Sequence, residues 1–83
     1  MRTVKIFLNS IERVQEFVAA LTPLNGDFEL VSKDYKDYIL DARSLMGILG
    51  FDLSKPLELR IHNDSPENIK AISSFIVENK GEN

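Results

Sequence analysis

The chain has no cysteine, and a single histidine, His62, stands among its 83 residues. Without thiols there is neither a disulfide framework nor a thiolate metal site, and one histidine on its own makes no metal or acid–base constellation. Apolar runs stop after a few residues, so neither a signal peptide nor a membrane span is expected. Cations are not in excess. Ten Lys and Arg face thirteen Asp and Glu, a net charge of −3, so no strong cationic field draws nucleic acid or anionic lipid. No glycine-rich phosphate loop, nucleophile elbow or zinc spacing occurs, and Asp34, Asp37 and Asp41 do not follow a calcium-loop spacing. These absences leave a non-enzymatic protein without cofactor or metal as the expectation. With 43% hydrophobic and 28% charged residues, the chain reads as one small domain over 1–83, expected in the cytoplasm.

Two kinds of hydrophobic period divide the chain. Residues 3–8 alternate Val4, Ile6 and Leu8 against Thr3, Lys5 and Phe7, the pattern of a strand with one buried face. Asn9 with Glu12 three residues on suits an N-cap, and Ile11, Val14, Phe17, Val18 and Leu21 follow at helical spacing up to Pro23. A turn at 24–27 leads into a strand at 28–32 with Phe28 and Leu30 on one face. Polar residues 33–37 read as a hairpin turn, and Tyr35 and Tyr38 are each either recognition residues or strand formers. Tyr38, Leu40 and Ala42 share one side of a third strand. Ser44 can cap a short helix carrying Leu45, Met46, Ile48, Leu49 and Phe51, ended by Gly50.

Residues 57–62 alternate again, which turns His62 away from the core. Ser65-Pro66-Glu67 is a strong helix start, with Ile69, Ile72, Phe75 and Ile76 as the buried stripe and Lys80-Gly81 as the stop. The expected order is therefore β-α-β-β-α-β-α. That string suits an α+β open-faced sandwich, a four-stranded antiparallel sheet covered on one face by three helices.

The segment Asp41-Ala42-Arg43-Ser44-Leu45-Met46-Gly47-Ile48-Leu49-Gly50 closely resembles the regulatory-serine segment of HPr, the small phosphocarrier of the sugar phosphotransferase system. Element order and length are similar over nearly the whole chain, although only 41–50 is specific at residue level. The chain resembles a variant that lacks the family's active-site histidine. In that family a histidine at the start of the first helix carries the phosphoryl group, flanked by glycine, alanine, arginine and proline. Here Asn9-Ser10-Ile11-Glu12-Arg13-Val14 keeps none of that signature, with Ser10 the nearest equivalent of the histidine and Glu12 at the place of the arginine. A serine ester lacks the transfer potential of a phosphoimidazole, and Glu12 opposes an incoming phosphate. The residues 9–12 read most simply as a helix cap.

What the resemblance implies is a regulator rather than a carrier. Ser44 is the candidate phosphorylation site, and Arg43, Leu45 and Met46 are the candidate partner-binding residues. A serine kinase and a transcriptional regulator are the implied protein partners, with no nucleic acid and no membrane, and the chain itself a monomer or weak dimer. Phosphate at a helix start meets free N–H donors, while the alternative for Ser44 is an N-cap alone. Two other functions stand beside this one: a phosphocarrier using His62, and a structural domain that self-associates through the patch around Met46.

Overall fold

The computed structural model describes residues 1–32 and 38–79; the turn expected at 33–37, with Tyr35, and the Lys80-Gly81 stop lie outside the described residues. The chain runs β1 (Arg2–Ile6), α1 (Ile11–Leu21), β2 (Phe28–Ser32), β3 (Tyr38–Asp41), α2 (Leu45–Ile48), β4 (Leu57–Ile61), α3 (Pro66–Ile72), a 3-10 turn (Ser73–Phe75) and β5 (Ile76–Asn79). All strand pairs are antiparallel, in the order β3-β2-β4-β1-β5. Among the described residues the architecture is α+β, a five-stranded antiparallel sheet with three helices.

The strand order explains why the helices share one face. β1 and β2 run parallel with β4 between them, and α1 connects them; α2 likewise joins β3 to β4 across β2. Between these two connections both the strand direction and the direction of travel reverse, so right-handed crossovers place both helices on the same side. The connection from β4 through α3 to β5 repeats the second case across β1. Beneath the helices Val4, Ile6, Phe28, Leu30, Leu57, Leu59 and Ile61 form the sheet side of the core. Val14, Phe17, Leu21, Ile48, Ile72 and Phe75 close it from above. Phe17 meets Phe75 edge to face at 5.3 Å between ring centroids, a favoured aromatic geometry that ties α1 to the end of the α3 region.

Two expectations are corrected. The terminal helix ends at Ile72, and the chain it was expected to include becomes a 3-10 turn and a fifth strand. The expected apolar stripe is inside or against the core, with Ile72 and Phe75 buried and Ile69 and Ile76 packed on it. What the periodicity missed is conformation: Ser73 and Ser74 are poor helix formers, Phe75-Ile76-Val77 favour strand, and the outer edge of β1 is open to receive them. β5 pairs Lys5 with Glu78 and Ile6 with Ile76, with a register shift between them.

The second correction concerns the start of α1. Ser10, not Asn9, is the N-cap, and its Oγ accepts the Arg13 N–H at 3.1 Å. Asn9 instead takes a left-handed conformation, φ 46°, letting the Ser10 N–H donate to the Leu8 carbonyl at 2.6 Å. Asparagine tolerates this geometry better than most residues. Ile11, expected in the buried stripe, lies before the helix has turned inward and is 58% exposed.

Candidate functional site

Ser44 initiates α2 as expected, its Oγ accepting the Gly47 N–H at 3.3 Å while its carbonyl accepts the Ile48 N–H at 3.0 Å. The helix is only four residues long, and Ile48 is its fully buried anchor. Gly47 lets α2 lie close to β3. A Cβ there would sit 3.0 Å from Leu40 Cδ2 and 2.9 Å from Ser44 Oγ, so a side chain would force Leu40 or the Ser44 cap to shift.

Leu45 and Ile48, three residues apart, face inward, whereas Met46 and Leu49, also three apart, face outward. Met46 is 79% exposed, the most exposed large apolar side chain among the described residues. Leu49, expected in the core together with Ile48 and Phe51, is more than a third exposed, because a helix of one turn buries a single stripe. Phe51 is half-buried and receives Tyr38 edge to face at 5.9 Å, so an exposed aromatic of β3 adjoins the end of the α2 segment. Met46, Leu49 and Tyr38 thus make the exposed apolar side chains of this corner, with the half-buried Phe51 against Tyr38 and Ser44 exposed beside them.

Arg43 is held differently from its neighbours. Its Nε donates to the Leu21 carbonyl at 3.2 Å, Nη2 to Leu24 at 2.6 Å and Nη1 to Gly26 at 3.0 Å. The guanidinium carbon also lies 5.1 Å from the centroid of the Phe28 ring. Its backbone N–H donates to Asp41 Oδ1 at 2.9 Å, which fixes the turn that delivers Ser44. Helix α1 has no basic residue in its last turn, and Arg43 supplies a cation to that end from across the fold. Sequence reasoning read Arg43 only as a surface contact, since three carbonyls converging on one side chain leave no trace in local pattern.

The start of α1, where the resemblance would place a phosphate carrier, is occupied by structural bonds. Ser10 is engaged as the cap, and Arg13 donates through Nη2 to the Ser74 carbonyl at 3.1 Å while lying 4.3 Å from the Phe75 ring centroid. Nη1 of Arg13 lies 3.4 Å from Glu16. Glu12 is exposed in the first helical turn. His62, just beyond β4, pairs through Nε2 with Glu29 at 3.1 Å, with both side chains about 40% exposed. An open depression of about 260 Å³ on the β2–β3 side is lined by Asp27, Phe28, Glu29, Ile39, Leu40 and Asp41. Among the described residues no group of three potential ligands could hold a metal ion, and no helix is long and apolar enough to cross a membrane.

Compared with protein-family models, with curated proteins and with solved structures, the chain gives no match. Its class is therefore stated from its own architecture: an α+β domain with a five-stranded antiparallel sheet and three helices.

Proposed function

We propose that this chain is a non-catalytic protein-interaction domain of HPr-like kind, lacking the carrier histidine, with the α2 corner as its contact surface. The observation that carries the reading is Met46: 79% exposed on a helix whose neighbouring Ile48 is fully buried. A flexible thioether displayed on a rigidly anchored turn suits a docking surface, because it adapts to a partner without disturbing the fold. The order of the first seven elements supports the HPr-like part, with β5 as an addition.

In this reading Met46 gives the apolar contact, with the partly buried Leu45, which packs inward, backing it from the core side; Arg43 sets the geometry of the turn, and Ser44 is the switch. A phosphoserine carries about −1.5 to −2 charges, enough to change an apolar corner into an anionic one and so to select a different partner. The partner classes are a serine kinase and a transcriptional regulator, which goes with a cytoplasmic location. Carriage on histidine is disfavoured by position, since His62 lies beyond the end of β4 and is paired with Glu29.

The test is the intact mass of wild type and Ser44→Ala after incubation with an HPr kinase and ATP, and separately with enzyme I and phosphoenolpyruvate. One phosphate on wild type alone, from the kinase alone, is expected. An acid-labile phosphate after the second treatment would sink the regulator reading in favour of a carrier. Failure of both treatments, with sedimentation showing a concentration-dependent dimer, would replace it with self-association.

A further inference from the structure

Asn25-Gly26 forms the exposed turn between α1 and β2, and two independent clamps hold it. Asn68, a buried polar residue of α3, donates through Nδ2 to the Asn25 carbonyl and to the Asn63 carbonyl, both at 2.9 Å. On the other side the Arg43 guanidinium takes the Leu24 and Gly26 carbonyls, one residue either side of Asn25, at 2.6 and 3.0 Å. Gly26 has φ 98°, and a Cβ on it would come within 2.5 Å of Asn63 Cβ, so this position demands glycine.

We propose that Asn25 is a site of spontaneous deamidation and isomerisation, and that the modified turn releases Arg43 and loosens the adjoining Ser44–α2 corner. The nucleophile is the Gly26 backbone nitrogen. Hydroxide removes its proton, the nitrogen forms a bond to Asn25 Cγ, and the Cγ–Nδ2 bond breaks with loss of ammonia, leaving a succinimide. Water then opens the ring. Cleavage at Cγ gives aspartate, and cleavage at the former main-chain carbonyl gives isoaspartate; the sum is asparagine plus water to acid plus ammonia, with no oxidant or reductant.

The surroundings set this asparagine apart from Asn9 and Asn68. Glycine puts no side chain in the path of the attacking nitrogen, and both Asn25 and Gly26 are exposed. At Asn9 the corresponding nitrogen, that of Ser10, is engaged with the Leu8 carbonyl. At Asn68 it is the Ile69 N–H, held by the Ser65 carbonyl at 3.0 Å inside a helix start and beside a branched side chain.

Isoaspartate routes the main chain through Cβ and Cγ, adding one backbone atom between Leu24 and Gly26. The former Asn25 main-chain carbonyl becomes a free carboxylate, so the acceptor used by Asn68 is displaced. A guanidinium is a planar fork of fixed span, and it cannot keep two carbonyls whose separation has grown by a bond. Arg43 precedes Ser44 directly, so its release reaches the α2 cap. This inference does not depend on what docks at α2.

The experiment ages the full chain and Asn25→Gln in mildly alkaline buffer and follows intact mass, peptide mass and isoaspartate content. Wild type is expected to gain one dalton at Asn25 with isoaspartate present, and Asn25→Gln, whose longer side chain disfavours the five-membered ring, is expected to stay intact there. The aged fraction, separated by its extra negative charge, should exchange the Ile48 and Leu49 amides roughly tenfold faster, as loss of one charge-assisted hydrogen bond allows. Asn25→Asp adds the charge without lengthening the chain, and should keep slow exchange. The proposal is overturned if folded wild type keeps Asn25 intact while the urea-unfolded chain modifies it. It is overturned equally if the isoaspartyl form exchanges Ile48 and Leu49 at the unmodified rate.

Discussion

Replacing Arg43 by alanine should cost this domain about 2.5 kcal/mol, through loss of a structural clamp. Two of the guanidinium's bonds, to Leu21 and Leu24, are part-buried, and the third, to Gly26, is exposed. A hydrogen bond to a charged group contributes about 1.5–3 kcal/mol in a protected site; with water able to replace part of each, about 1 kcal/mol per part-buried bond and little for the exposed one is reasonable. The Phe28 ring contact adds about 0.5 kcal/mol at this degree of exposure. For a chain of this size the total corresponds to a fall in Tm of about 10–20 °C. Urea unfolding of wild type, Arg43→Ala and Arg43→Lys at constant slope measures it directly. Lysine presents a point charge able to satisfy one carbonyl, so it should recover about 1 kcal/mol. A loss below about 0.5 kcal/mol for the alanine variant would place Arg43 among ordinary surface residues and refute the clamp.

Ile48→Ala should cost about 2–5 kcal/mol and Met46→Ala less than about 0.5 kcal/mol in the same assay, since one side chain is fully buried and the other is not; equal losses would mean that α2 is oriented otherwise. Gly26→Ala should cost about 2 kcal/mol or more, from its positive φ and the contact with Asn63, and NMR shifts at Asn63 and Asn68 should report the displacement. Asp52 accepts both the hydroxyl and the backbone N–H of Ser54, which, with the nearby Lys55 charge, holds its carboxyl below the ordinary aspartate value. Its folded value is depressed, so its contribution is complete above the ordinary aspartate value and is lost as pH falls through the folded one. An NMR titration should place the midpoint low in wild type and move it part of the way back toward normal in Ser54→Ala, which keeps the backbone N–H; equal midpoints would rule out the Ser54 hydroxyl as a cause.

β1 and β4 were legible because each has one wet face and one dry face, so the period of two survives in Val4-Lys5-Ile6 and in Leu57-Glu58-Leu59. Capping chemistry placed the starts of α2 and α3, since Ser44 and Ser65 do the same local work in the fold that their spacing suggests. At α1 the same logic chose the wrong residue by one, because Asn9 and Ser10 are both good caps and only the chain's path out of β1 decides between them. The fifth strand was hidden for a different reason. Residues at 69, 72, 75 and 76 have a helical period whether or not the chain stays helical, and the choice is made by the vacant edge of β1, a tertiary fact.

The α2 corner shows the same division between what is local and what is not. Its apolar excess was visible, but how it splits into Ile48 inside and Met46 and Leu49 outside follows from a helix of one turn seated over Leu40 by Gly47. Arg43 was the least legible of all, since its partners lie 17 to 22 residues away at the end of α1 and the following turn. That placement has a mechanical consequence: the residue that completes the C-terminal end of α1 also stands immediately before the cap of α2. A perturbation of the 24–26 turn is therefore felt at Ser44 through one side chain, without any change in the core between them. Amide exchange at Ile48 and Leu49 in Arg43→Ala reads this coupling; acceleration there without comparable acceleration in β1 and β4 separates a local release of α2 from a uniform loss of stability.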